Sequence, residues 1–389
     1  MKKHLFPLFL LLLGVSTHAQ QDFFAIAGKD TQSINFSDFR MLDAKSGISG
    51  DKIFTADSSS KVTSQARRGL VTEDKSSFNN SQAVTMAALA YDSFNNNLVY
   101  MPMFSSNIYI LNPHTKEIIL VENNVVKVTS CDINSHITRM TTGYDGNIYA
   151  VNNSGTQFLK ISKKSGQYVV NDLGIIKDDT SNGKNSFTTL ETGFGGDMVA
   201  DADNNFYIFA ASGNVFKVSA NELKAKFIGK IAGIPDNYSV NGSAVNADGK
   251  VVIASAKGAP LYEVDLGTLQ AKQLPGDQNL HIYDLASKYF VNDKRSLNNN
   301  ILNNLDIYPT RVDEHFVNVH INNKNVKGNI KLNVFDMSGK NVMGQSLSVQ
   351  DGSLDQKVYL SGLITGAYIV NMTDESGKVI LNKKILITE

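Results

Sequence analysis

Cys131, Asp132 and His136 bring a thiol, a carboxylate and an imidazole close together in sequence, the set from which a thiolate nucleophile and its base are assembled. A nucleophile needs its base across space, so in isolation Cys131 reads as a small apolar residue near a strand start. Asp201, Asp203 and Asn205 alternate carboxylate and amide oxygens as a calcium loop does. Their plainer reading is a hairpin turn, because sister segments carry turns at the same place with fewer carboxylates. Asp178-Asp179 sits in a Ser-Asn-Gly-Lys setting and Arg67-Arg68 in a polar one, and both pairs read as solvated loops. The chain has no Ser-centred nucleophile elbow, no His-Glu-x-x-His helix, no cysteine pair and no phosphate loop. No cofactor is expected from these motifs, and a divalent cation is the one candidate they leave.

The elements that would position these groups are short strands. Segments Ala87 to Leu111, Thr138 to Ile161, Met198 to Val218 and Ser243 to Val264 share one pattern: a small-residue strand, a turn, an aromatic-aliphatic strand, a polar turn and an alternating strand. The turns are Asn95-Asn96-Asn97, Asp145-Gly146-Asn147, Asp203-Asn204-Asn205 and Asp248-Gly249, residues that tolerate the positive φ of a tight hairpin. A period of roughly forty to sixty residues fits the blades of a β-propeller. His281-Ile282-Tyr283-Asp284-Leu285-Ala286 is a partial fifth copy. At the other end, Phe23 to Ala27 and Phe39 to Asp43 look like the middle of a blade lacking its first strand. The two halves can complete one another and close the ring, which removes two exposed sheet edges. About six blades are expected, within a range of five to seven, since Asp51 to Val84 can be an outer strand with its loop or a further blade. The repeats look like those of NHL-repeat and gluconolactonase-like propellers, a likeness of fold that carries no catalytic residue.

Long connections (Asp51 to Val84, Leu120 to Ile137, Tyr168 to Gly196, Lys230 to Gly242, Pro275 to Leu280) run from outermost strands to the next innermost strands and vary far more in length than the blades. They open on the face shared with the loops between second and third strands. Residues where they enter first strands should ring the axis: His136, Arg139, Glu191, Asp197, Asn241, His281 and Tyr283. Two functions fit such a ring. One is a binding module for a protein or glycan ligand. The other is a propeller enzyme of the metal-assisted lactonase or lyase type, with Asp197, Glu191 and the two histidines as metal or acid-base groups.

Lys+Arg and Asp+Glu cancel at 37 each, which leaves no electrostatic case for nucleic acid or an anionic membrane. Trp is absent, which argues against a broad sugar-stacking platform. With Cys131 as the sole cysteine there is no internal disulfide and no lipidated cysteine at a cleavage site; stability must come from burial, and 42% hydrophobic residues supply enough for two cores. Lys2-Lys3, the apolar Leu5 to Val15 and Thr17-His18-Ala19 read as a signal peptide over residues 1–19, cut between Ala19 and Gln20. No segment of the mature chain reaches membrane-spanning length. The propeller is then expected over 20–292, an Asn-rich linker over 293–306 and a small Ig-like β-sandwich over 307–389, making the whole chain all-β.

The last segment carries an ordered set of short motifs: Tyr308-Pro309, Asp336-Met337-Ser338-Gly339-Lys340, Leu363-Ile364-Thr365-Gly366-Ala367-Tyr368 and Lys383-Lys384. In order and spacing it resembles the type A C-terminal sorting domain of the Bacteroidota type IX secretion system. It departs from that pattern where Thr310-Arg311 follow Pro309 in place of Asn-Pro. The resemblance implies passage through the periplasm to the cell surface or the medium, with the translocon and sortase of that system as partners. Gly366 is expected to permit a crowded entry into a central strand.

Overall fold

The computed structural model describes residues 21–28, 36–43, 45–55, 61–71, 86–129, 131–276, 280–293, 304–323, 326–350 and 352–388. The signal peptide, its cleavage site and most of the expected linker lie outside these residues. Among them, five sheets make up the propeller and two make up the sandwich.

The innermost strands of the five propeller sheets are Met86–Asp92, Ile137–Thr142, Asp197–Ala200, Gly242–Val245 and His281–Ala286, and each lies against the next until the last meets the first. The ring is therefore closed with five blades, at the lower end of the expected range. The segment that could have been a further blade is divided between two others. Ser49–Thr55 is the outer strand of one blade, while Val62–Ser64 and Gly69–Val71 extend the next blade beyond Ile118–Val121. Closure follows the expected route, with Gln21–Gly28 pairing antiparallel to His281–Ala286 so that both ends of the domain share one sheet.

Inner strands are buried on both faces and read as runs of small and aliphatic residues, whereas outer strands such as Gln270–Gln273 are mostly exposed and polar. Aromatic side chains fill the wedge between blades: Tyr149, Phe158, Phe206 and Phe216 are buried, and Tyr149 and Phe206 have ring centroids 4.6 Å apart. Each fully buried aromatic or aliphatic side chain contributes roughly 1.5–3 kcal/mol. The hairpin turns use one device. Asp92 Oδ1 accepts the N–H of Phe94 and Asn95, Asp201 Oδ1 those of Asp203 and Asn205, and Asn246 Oδ1 those of Asp248 and Lys250. In the calcium-like loop the Asp201 carboxylate also binds the Asn205 amide and lies 3.6 Å from Lys217 Nζ. The structure thus engages Asp201 in the turn.

The sandwich begins at Asn304, inside the segment expected as linker, and stacks a three-stranded sheet (Asn304–Tyr308, Phe316–Asn322, Ser353–Tyr359) on a five-stranded one. Its core, including Val317, Val319, Leu332, Val370 and Ile385, contains no propeller residue. The sorting motifs build turns of the sandwich and the strands beside them. Asp336 Oδ1 accepts the N–H of Ser338 and Lys340 around Gly339, whose φ is +86°. Tyr368 Oη donates to Ile364 O at 2.9 Å, closing the turn after the buried Leu363, and Lys383 pairs with Asp306. Lys384 is exposed. The expected crowding at Gly366 is not there: a Cβ would meet nothing nearer than 3.7 Å.

The sandwich is also docked. Tyr308, joined to Pro309 by a cis peptide bond, stands with its ring centroid 4.8 Å from that of Tyr144 and 6.1 Å from that of Phe94, both in hairpin turns of the propeller. Glu314 Oε1 bonds Lys160 Nζ at 3.0 Å and Ser162 Oγ at 3.2 Å. Burial lowers the pKa of Lys357 against the opposing pull of Asp92, Glu314 and Asp145. Asn318, fully buried, has neither amide atom bonded. The contact thus combines aromatic packing with an ion pair and an unsatisfied buried amide. Limited proteolysis should cut first between Asn292 and Leu305, and the released sandwich should melt cooperatively by itself. A first cut within a blade would contradict two separate cores.

Candidate functional site

A cavity of about 570 Å³ opens where all five inner strands begin. Ala87, His136 with Thr138, Gly195 with Gly196, Asn241 and Tyr283 each come from a different strand or its entry, so the cavity is the mouth of the axial channel. Met103, Phe104, Ile133, Leu190 and Phe194 wall it with apolar surface, and no Asp, Glu, Lys or Arg is among the lining residues. Ile133 and Leu190 remain about half exposed at its rim.

The polar lining groups are largely engaged. Asn153 Oδ1 accepts Gly195 N–H and the Thr138 hydroxyl, while its Nδ2 donates to Ile133 O. Asn241 Oδ1 accepts Ala256 N–H at 3.0 Å, which fixes the orientation of its amide and turns Nδ2 the other way. His136 is buried and packs edge-on against Phe104, with centroids 4.9 Å apart. Of the neighbouring thiol, carboxylate and imidazole, Cys131 and His136 line the cavity, but Asp132 accepts Asn134 N–H to cap the short helix Ile133–Ser135. Among the described residues no cluster of three His, Cys, Asp or Glu side chains suits a metal ion.

Beneath the lining lies a charged hub. Arg139, one residue beyond Thr138, and Asp197, one beyond Gly196, are fully buried, as is Asp284. Gly196 is required at this entry, because its φ is +77° and a Cβ would come within 1.7 Å of Phe209 O. Arg139 Nε donates to Gly195 O at 3.0 Å, Nη1 to Asn152 O at 3.3 Å and Nη2 to Gly193 O, with the Phe187 ring 4.9 Å from its guanidinium carbon. Asp178 positions that ring: it accepts Phe187 N–H at 2.6 Å and the Ser186 hydroxyl at 2.5 Å, so the adjacent carboxylates fold a loop and Asp179 caps its short helix. Asp197 accepts Met198 N–H at 2.7 Å and Ser243 N–H at 2.6 Å, and Asp284 accepts Leu89 N–H at 2.9 Å. Each carboxylate therefore ties its own blade to the next. The charge of Asp197 bears on Asp284, whose Oδ1 is buried without a hydrogen-bond partner among the described residues. Burial pushes Asp197 up to about 7 and Asp284 well above the usual carboxylate range, the latter raised further by Asp197; burial lowers Arg139 to about 9 against the attraction of Asp197.

Of the seven residues expected around the axis, His136, Asn241 and Tyr283 line the cavity, and Arg139 and Asp197 lie under it. Two do not join them. Glu191 is exposed on the helix Leu190–Gly193, and His281 Nδ1 is 2.7 Å from Ala256 O, under the backbone of Gly258. Met103, Phe104, Asn153 and Ala211 were not nominated, although they lie in the loops after second strands, which open on this same face.

The fold and this mouth define a five-bladed β-propeller with a pocket on its axis, carried in front of a docked β-sandwich. Residues 306–388 match the family described as the secretion system C-terminal sorting domain. The chain is thus a cargo of the type IX secretion system, exported to the cell surface or beyond. No curated protein matches the sequence. Among solved structures, the extracellular domain of a putative one-component system from B. thetaiotaomicron aligns with 94% of this chain and 50% of its own, at 10% identity and a TM-score of 0.35. PorZ, a surface component of the type-IX secretion system of Porphyromonas gingivalis, aligns with 94% of this chain and 51% of its own, at 11% identity and a TM-score of 0.31. This chain spans about half the length of both. A catalytically inactive virginiamycin B lyase from Staphylococcus aureus with quinupristin aligns over 95% of this chain and 97% of its own, at 8% identity and a TM-score of 0.35.

Proposed function

We propose that the exported propeller is a binding module whose ligand enters the cavity at the channel mouth. The observation that carries this reading is the convergence of residues from all five inner-strand entries on one concave, mainly apolar space of a size typical for small ligands. The donor set supports binding over metal-assisted hydrolysis or elimination. Both lining asparagines have their amide oxygens held by backbone N–H groups, and Asp197 and Asp284 accept from backbone under the floor. Carboxylates held in this way organise the ring.

Ala211 lines the cavity and is partly exposed, so Ala211→Trp should fill it without entering the core. Nile red, a neutral apolar dye, should brighten on the natural chain and stay dim on Ala211→Trp, with the thermal melt unchanged. Equal dye response from both proteins would place apolar binding elsewhere and remove the reading.

A further inference from the structure

We infer that the ligand of this cavity is an uncharged, mainly apolar small molecule that presents one hydrogen-bond acceptor to Asn241 Nδ2. The inference rests on the binding reading above and deepens it. Three observations lead to it.

The first is charge. None of the lining residues carries a carboxylate, ammonium or guanidinium group. Beneath the lining, Arg139 and Asp197 are fully buried one residue beyond Thr138 and Gly196, and their opposite charges act on one another. An ionic ligand would leave water for a space with no counter-charge, at a cost that a neutral ligand avoids. The second is shape and surface. Met103, Phe104, Ile133, Leu190 and Phe194 present side chains that can enclose a ring or branched aliphatic body, and the half-exposed Ile133 and Leu190 extend this surface to the entrance. A free glycan would bury most of its hydroxyls here against carbon, so the cavity suits a glycan poorly. The third is an oriented donor. Asn241 Oδ1 is held by Ala256 N–H, so Nδ2 is the atom left to the cavity, and it makes no hydrogen bond among the described residues. An acceptor placed there gains a bond without displacing another.

The test uses the full chain and four probes on one ring system: naphthamide, naphthalene, naphthoate and naphthylmethylammonium, with cellobiose as a polar neutral control. Titration calorimetry should rank naphthamide first, about tenfold or more tighter than naphthoate, and Ala211→Trp should abolish the signal. Asn241→Asp keeps the acceptor for Ala256 N–H and replaces the donor with a charged oxygen. It should weaken naphthamide about tenfold and favour naphthylmethylammonium, an inversion that mere loosening of the loop would not produce. Naphthoate or cellobiose binding best, and being lost in Ala211→Trp, would overturn the ligand class while leaving the binding module intact. Naphthamide binding that survives Ala211→Trp would overturn the site itself.

Discussion

Removal of residues 307–389 should strand the protein in the periplasm, with near-complete loss from the cell surface and the medium. The sandwich matches the sorting-domain family over 306–388 and has its own core, so the address is a folded body separate from the propeller. Deletion also uncovers the propeller turns at Phe94 and Tyr144, against which Tyr308 now packs. Solubility and export must therefore be separated. A paired Glu314→Ala and Lys357→Ala variant removes the polar docking contacts while leaving every sandwich core residue in place. It should still be exported, because the address lies in the sandwich and not in its contact with the cargo. Immunoblots of periplasm, surface and medium decide the matter. Truncated chain appearing outside at the natural level would sink the assignment of the tail as the export signal.

The propeller was legible because its blades announce themselves twice, through Asx-rich turns and through the alternation that follows them. Asp92, Asp201 and Asn246 accept N–H groups at equivalent places, two or three residues before the Asx-rich turns that mark these hairpins in sequence. Ring closure was legible because Phe23 to Ala27 lacks a preceding first strand while His281 to Ala286 lacks following ones, and the two pair as edges should. The number of blades was harder to read. Val62–Ser64 pairs parallel to Ile118–Val121, and nothing local distinguishes such an added edge strand from the start of a new blade. The docking of the sandwich was equally hidden, since Tyr308, Asn318 and Lys357 lie on a sheet face that a solvent-exposed sandwich would also keep polar or aromatic. At the channel mouth three of the residues expected there, His136, Asn241 and Tyr283, line the cavity. The sequence could not tell that His281 turns to Ala256 O or that Glu191 points to solvent, because side-chain direction at an entry depends on the neighbouring blade.

The hub should make the stability of the propeller depend on pH in a direction opposite to that of ordinary salt-bridged carboxylates. In the unfolded chain both Asp197 and Asp284 titrate near about 3.9, whereas in the folded ring Asp197 is raised to about 7 and Asp284 further. Folded protein therefore holds more protons than unfolded protein throughout that interval, and stability falls as pH rises. Asp197's share is complete below the unfolded value and lost by the time pH passes about 7; Asp284 continues to lose stability above it. One proton held over three pH units amounts to something on the order of 4 kcal/mol. Among the described residues, the groups acting on the pair include Arg139 from the strand Ile137–Thr142, Ser243 N–H from Gly242–Val245, Met198 N–H, and the Leu89 N–H from Met86–Asp92. The two aspartates should respond differently to amidation. Asp284→Asn keeps an acceptor for Leu89 N–H and removes the acid that must become charged in the buried hub as pH rises. Its melting temperature should match the natural chain near pH 5 and stay flat above pH 7, where the natural chain continues to fall. Asp197→Asn loses one of two oxygens that accept backbone N–H groups and leaves Arg139 buried without its carboxylate. That change should cost about 3–5 kcal/mol at pH 8, or roughly 6–20 °C in Tm. Thermal melts of the three proteins from pH 5 to 9 provide the comparison. Parallel pH profiles for the natural chain and Asp284→Asn would show that burial does not hold Asp284 protonated in the folded ring.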